Sequence, residues 1–192
     1  GRGDPYAHVE RLAGLGPDVI PHDGAPFDAD AFHERLFAEA HTDRTVGAVL
    51  LDQTVLAGIG NYLRAEILFV CRLDPWRTVR DLTREDLACL DDAIAEVCAR
   101  AYELGGQTVE DDVRPRLASE PGMTYAAPTD WNTRHYVFRR TNLPCLVCGH
   151  AVRQKKQVTA QWETDEGEAA EKSRVLYFCL TCQGTTVDLP PV

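Results

Sequence analysis

The sequence predicts a mainly α-helical chain that closes on a small β ribbon held by four cysteines. Three observations predict it. Two Cys-x-x-Cys pairs, Cys145–Cys148 and Cys179–Cys182, bracket an alternating, β-branched stretch. Residues 83–104 repeat apolar side chains at intervals of three and four, the period of a helix with one buried face. Residues 28–70 hold further helical stretches interrupted by a glycine-rich turn. The 192 residues suffice for one domain or two small ones. The division expected is a lead-in over 1–27, a helical domain over 28–135 and a cysteine-bearing hairpin over 136–192.

The elements follow in order. Residues 1–27 are rich in Gly and Pro and read as a linker with little core of its own. A first helix is capped by Asp28 or Asp30, with Phe32 and Leu36 on one face. A second starts after Thr42 or Asp43 and runs to about Asp52, with Val46, Val49 and Leu50 as its apolar stripe. Gly58-Ile59-Gly60 then forces a tight turn. Asn61 stands at the start of a third helix, as an N-cap, with Leu63, Ile67 and Val70 inward. Thr83 caps the longest helix, Glu85 and Asp86 suit its positive end, and Leu87, Leu90, Ile94, Val97, Ala101 and Leu104 form its buried face. Gly105-Gly106 ends it. Residues 107–130, interrupted by Pro115, Pro121 and Pro128, read as a loop with at most a short helix near 110. From Tyr136 onward a hairpin is expected, with strands over 152–162 and 175–178 and the acidic run 163–172 at its tip or as an insertion.

Composition narrows the function. The chain is 44% hydrophobic and 26% charged, with no apolar run near the roughly 20 residues that span a bilayer. No signal-peptide core follows the N-terminus, so a bacterial cytoplasmic location without membrane contact is expected. A formal net charge of -10 argues against indiscriminate coating of nucleic acid. The charges are segregated, however. From Trp131 to Trp162 there are six basic residues (Arg134, Arg139, Arg140, Arg153, Lys155 and Lys156) and no acid, whereas Glu163–Lys172 carries five acids and one base. A local basic surface on an acidic protein remains able to meet phosphates.

The cysteines carry the clearest chemistry. Zn²⁺ prefers four thiolates in a closed tetrahedron, and each Cys-x-x-Cys turn supplies two. Cys145, Cys148, Cys179 and Cys182 are therefore expected to bind one structural zinc, with Gly149 providing the backbone freedom that follows the first turn. A closed shell leaves no position for substrate, so any chemistry lies elsewhere. Cys71, Cys89 and Cys98 fall in apolar helical patterns and read as small buried hydrophobes.

The segment Leu50-Leu-Asp-Gln-Thr-Val-Leu-Ala-Gly-Ile-Gly-Asn-Tyr-Leu-Arg-Ala-Glu-Ile-Leu-Phe69 resembles the helix-two-turn-helix element of the formamidopyrimidine-DNA glycosylase/endonuclease VIII family. Arg174-Val-Leu-Tyr-Phe-Cys-Leu-Thr-Cys-Gln183 resembles its C-terminal zinc finger, and Leu15-Gly-Pro-Asp-Val19 its entry into this half. The resemblance covers residues 12–184. It implies a monomeric protein of base excision repair, used at the bacterial nucleoid, that binds double-stranded damaged DNA. Gly60-Asn-Tyr-Leu-Arg-Ala-Glu66 is closer to the endonuclease VIII wording, which implies oxidised pyrimidines. By the same resemblance Asn61, beside Gly60, contacts a backbone phosphate, and Arg174 is the finger arginine aimed at the backbone. Ser173 departs from the glycine usual before that arginine. Lys155 and Lys156 are further candidates for backbone contact. Asp52, Gln53 and Glu66 are read as structural.

Intact members are DNA glycosylases and AP lyases, hydrolase and lyase in one, whose nucleophile is an N-terminal proline amine followed by glutamate. This chain begins Gly1-Arg2-Gly3-Asp4-Pro5, and the β-rich N-terminal catalytic domain has no counterpart in it. The expectation is DNA binding without catalysis by these residues alone, with no catalytic residue among them. Borohydride should trap no covalent complex between the chain and abasic DNA; a trapped imine contradicts this. Two other readings share the same residues: a naturally shortened, non-catalytic DNA-binding zinc protein, and a structural zinc ribbon that mediates protein interactions.

Overall fold

The computed structural model describes residues 14–21, 24–119, 122–123, 133–164 and 166–189. Most of the lead-in, Gly1–Pro5 included, lies outside the described residues, as do Pro121 and Pro128 of the expected loop. No helix among the described residues is long and apolar enough to cross a membrane.

Helix α1 spans Ala29–Leu36, with the Asp28 carboxylate accepting from Ala31 N as its cap. Phe32 and Leu36, four residues apart, are both fully buried. Of the helix expected over 43–52 only four residues, Val46–Val49, form helix α2, and a separate 3-10 turn, Glu39–His41, precedes it. The break has a tertiary cause. Thr45 is extended and bridges to Thr78, and Val46 N donates to Arg77 O at 2.9 Å, so the chain is pulled out of helical geometry just before α2.

Helix α3 spans Asn61–Val70 and α4 spans Arg84–Glu103. Thr83 and Asp86 form a reciprocal capping box on α4. At the other end Gly105 has φ +59° and Gly106 N donates back to Ala101 O at 2.6 Å, closing the helix as a Schellman turn. Leu104, expected on the buried face, lies past the last helical residue and is 43% exposed. A short helix α5, Val113–Ser119, occupies part of the expected loop.

Strands β1, Arg153–Glu163, and β2, Ala169–Phe178, form one antiparallel hairpin. Residues 136–152, expected to begin the hairpin, are turns held by a single bridge, Pro144↔Ala151. Their backbone groups are taken by Arg140 and Glu66 instead of by a strand. β2 starts six residues before the expected Val175, so part of the acidic run is strand. The register shifts between Val158 and Ala160. A last turn of helix, α6, spans Leu180–Gln183.

β1 packs on α2, and β2 on α3, which also lies against α4. One apolar core runs through all of them, joining Phe32, Leu50, Ile67 and Ile94 to Val152 just before the hairpin and to Leu176 and Phe178 within it. The lead-in is more than a tether. Val19 is buried, Asp18 bridges Ala57, and Gly16 N donates to Gln53 O at 2.9 Å. A Cβ on Gly16 would stand 2.3 Å from Val55 O.

Glu66 staples the loop before the hairpin to α3. Its fully buried carboxylate accepts from Tyr136 N at 2.6 Å, Val137 N at 2.9 Å, Phe138 N at 2.8 Å and the Thr108 hydroxyl at 2.7 Å. Glu66→Ala leaves those donors buried without an acceptor. It should cost about 3–5 kcal/mol, read as a lower urea midpoint at unchanged m-value. A change below about 1 kcal/mol would show that the loop re-satisfies itself.

Candidate functional site

The turn between α2 and α3 is built to present Gly60 and Asn61. Gln53 braces it from inside: its Nε2 donates to Ile59 O at 3.0 Å and its Oε1 accepts from Gly58 N at 3.0 Å. Gly58 has φ +95°, and a Cβ there would meet Val19 Cγ2 at 2.9 Å, so only glycine fits. The N-cap of α3 is Gly60, with no side-chain cap, and Asn61 is the first helical residue. That corrects the expected capping role, because the Asn61 amide is occupied elsewhere. Its Oδ1 accepts from Arg64 Nη2 at 2.7 Å and its Nδ2 donates to Val175 O on β2 at 2.8 Å. The second N–H of the amide and the first-turn backbone N–H groups of α3 remain to serve a ligand.

Gly60, Asn61 and Arg174 line one open cleft of about 390 Å³, with Arg44, Gln53 and Lys172 on its walls. The Arg174 side chain is exposed and makes no hydrogen bond or ion pair with the side chains of the described residues. Arg44, by contrast, is spoken for, pairing with Asp52 at 2.8 Å and donating to Thr159 O at 3.1 Å. Burial works against ionisation of Asp52, but hydrogen bonds from Thr54 and Arg44 outweigh it and hold the carboxyl below its usual range. Asp52 is thus the ion-pair partner of Arg44.

Arg64 is the residue that sequence reasoning missed. It is fully buried, and its guanidinium donates to Gly47 O at 3.0 Å, Gln157 Oε1 at 3.1 Å and Asn61 Oδ1 at 2.7 Å. Every one of these acceptors is neutral, and its Nε has no partner. Burial first, and repulsion from Arg174 second, push this guanidinium down to about 9. A buried cation normally needs a counter-charge. Here the charge lies behind Asn61 and near Arg174, so an anion in the cleft offsets the repulsion between the two arginines. An arginine inside the apolar run Leu63–Phe69 was the available signal.

Lys155 and Lys156 lie elsewhere. Lys155 Nζ donates to Asp188 O at 2.7 Å. Lys156 pairs with Val175, and Arg174 with Gln157, so Lys156 projects from the opposite face of the hairpin. Arg140, expected on the basic surface, is 1% exposed and donates to Tyr136 O, Met123 O and Pro144 O. Lys172, expected within the acidic run, reaches the cleft because the register shift after Val158 sets its position opposite Ala160.

The four expected metal ligands converge. The sulfurs of Cys145, Cys148, Cys179 and Cys182 all lie within 4.8 Å of one another, with 3.7 Å between Cys145 and Cys182 and 3.4 Å between Cys148 and Cys179. A tetrahedron with Zn–S near 2.3 Å has edges of about 3.8 Å, so the set fits a metal of that size. Gly149, φ +75°, closes the first turn, where its N–H donates to Cys145 O at 2.9 Å. Gln183 Oε1 accepts from Cys179 N at 2.9 Å while its Nε2 donates to Leu73 O at 3.0 Å, which anchors the second turn to the segment after α3.

Comparison with known proteins agrees with this arrangement. Residues 15–113 match the Formamidopyrimidine-DNA glycosylase H2TH domain. The formamidopyrimidine-DNA glycosylase of Thermus thermophilus is 36% identical over 183 residues, covering 95% of this chain and 58% of that protein. Endonuclease 8 1 of Mycobacterium tuberculosis is 31% identical over 172 residues, covering 90% and 54%. The chain therefore spans a little over half the length of these relatives, and both branch names occur among them. The crystal structure of MutM (Fpg) from Thermus thermophilus superimposes with a TM-score of 0.62 at 34% identity, covering 97% of this chain and 59% of that one. The Lactococcus lactis Fpg complex with DNA containing an abasic site shares the fold, with a TM-score of 0.57 at 22% identity over 91% of this chain and 53% of that one.

Proposed function

The chain belongs to the formamidopyrimidine-DNA glycosylase/endonuclease VIII family, and from that premise we propose that it is the DNA-gripping half of a base-excision enzyme acting on oxidised bases. The observation that carries the proposal is the cleft. Arg174 lines it beside the start of α3, and the charge of Arg64, buried behind Asn61 without a counter-charge, adds to the pull on a backbone phosphate there. Asn61 donates its remaining amide N–H to the same phosphate. The cleft accepts one strand of double-stranded DNA, and the protein works as a monomer on the bacterial nucleoid.

The four-cysteine cluster holds one Zn²⁺ in this reading. Zinc supplies the cross-link that a two-stranded hairpin lacks, and the chain's own residues do the binding. Cys179 and Gln183 tie β2 to the helical part, and the hairpin thereby aims Arg174. Base removal and strand nicking are proposed for the whole protein, with the nucleophile outside these helices and this hairpin. The names of the relatives, a formamidopyrimidine-DNA glycosylase and an endonuclease 8, support oxidised bases as the substrate class.

The test is a titration of a labelled duplex bearing an abasic-site analogue at two salt concentrations. Binding should weaken steeply with salt, because each neutralised phosphate releases counterions. A protein-docking ribbon predicts no salt-dependent DNA binding at all, and that outcome refutes the proposal.

A further inference from the structure

We propose that Gln157 is the positioning residue of the phosphate site: it orients Arg64 from the hairpin side while leaving the arginine's charge uncompensated. The inference rests on the reading of the cleft as a backbone-phosphate site and deepens it.

Gln157 is on β1 and is 3% exposed. Its Oε1 accepts from Arg64 Nη1 at 3.1 Å. Its Nε2 donates to Pro75 O at 2.9 Å and to the Thr45 hydroxyl at 3.1 Å. The orientation of the amide is fixed by its neighbours, since a guanidinium only donates and a peptide carbonyl only accepts. One buried side chain thus joins the hairpin to the segment before α2, to the turn at Pro75 and to α3. The space for it comes from Gly47. A Cβ there would stand 2.6 Å from Gln157 Oε1 and 2.9 Å from Pro75 O. Gln157 is also the cross-strand partner of Arg174, so fixing one fixes the strand position of the other.

The chemistry explains why an amide stands here. A carboxylate would accept from Arg64 equally well, but it would form an ion pair and cancel the charge that a phosphate is to meet. Its second oxygen would also face the Pro75 carbonyl with no proton between them. Glutamine supplies the acceptor on one side and the donors on the other, and adds no charge. Asp52, the acid lining the same cleft, is already engaged by Arg44. An anion held at Asn61 and Arg174 therefore feels the charge of the buried Arg64 intact.

The experiment measures affinity of the metal-loaded, full 192-residue chain for an abasic-analogue duplex across a range of salt. Gln157→Glu should bind about tenfold more weakly, with a salt slope shallower by about 0.9, as though one phosphate contact were lost. Gln157→Met, which loosens the joint without adding charge, should lose affinity at the wild-type slope. Wild-type affinity and slope in Gln157→Glu, alongside an impaired Arg174→Ala, would overturn the inference and leave the phosphate site standing. Equal slope changes in the Glu and Met variants would overturn the charge argument. If Gln157→Glu and Arg174→Ala are both indifferent, the phosphate reading itself falls. Should Gln157→Glu fail to fold, Gly47→Ala, which displaces Gln157, should be about tenfold weaker, and wild-type binding by it refutes the proposal.

Discussion

Removal of the metal from the four-cysteine cluster, by a chelator with a reductant present, is expected to abolish DNA binding. The magnitude follows from what the cluster holds. Zinc bound to four thiolates contributes on the order of 10 kcal/mol to the folding of small domains. An isolated two-stranded hairpin is marginal in water. Without the metal, Cys145–Cys148 and Cys179–Cys182 no longer pin the ends of β1 and β2. Asn61 then loses Val175 O as a partner and Arg64 loses Gln157, both of which lie on the hairpin. Arg174 loses its aim in the same event. The loss is directly observable. Trp76 packs edge-on against Phe178 with ring centroids 4.9 Å apart, so its fluorescence should change as the hairpin detaches. In the same samples, atomic analysis should find one zinc per chain before treatment. Stripped protein that binds DNA with unchanged affinity would remove the cluster from the binding mechanism.

The second large effect is expected from the double substitution Asn61→Ala with Arg174→Ala. A hydrogen bond to a charged group contributes about 1.5–3 kcal/mol, and a neutral donor to an anion somewhat less. Together the losses predict affinity about a hundredfold weaker for damaged duplex. Asn61 is bonded to Arg64 and to Val175, the chain neighbour of Arg174, and Arg174 repels Arg64, so the two effects should not simply add. Arg174→Ala should leave the fold intact, since that side chain is exposed, whereas Asn61→Ala also removes the bonds to Arg64 and Val175 O, so folding of each variant is checked by its urea midpoint. Anisotropy titrations of both single variants and the double complete the cycle. An affinity within twofold of wild type would contradict the assigned roles.

Much of this was legible in the residues, and the exceptions have physical reasons. The paired cysteines and the Thr83 helix were legible because their signals are local. A Cys-x-x-Cys turn brings its own ligands together, and Thr83 with Asp86 closes a cap within four residues. The family strings around Asn61 and Arg174 were legible too, and the fold brings those two residues into one cleft. Arg64 was not, because a buried cation is indistinguishable from a surface one until its neighbours are known. The break before α2 depends on Thr45 bridging to Thr78, more than thirty residues away in sequence. Lys172 was misjudged for a similar reason. Its charge was counted with the acids around it, and only the register shift after Val158 turns it toward the cleft. Lys155 and Lys156 show the converse. Neither lines the Arg174 cleft: strand alternation turns Lys156 to the other face, and Lys155 is bonded to Asp188 O.

The central claim is that Arg174 neutralises a backbone phosphate held at the start of α3. The salt dependence of duplex affinity, measured in parallel for the wild-type chain and for Arg174→Ala, tests it most directly. Loss of one phosphate contact should reduce the slope of log K against log salt by about 0.9. Two parallel lines, displaced or superimposed, would contradict it.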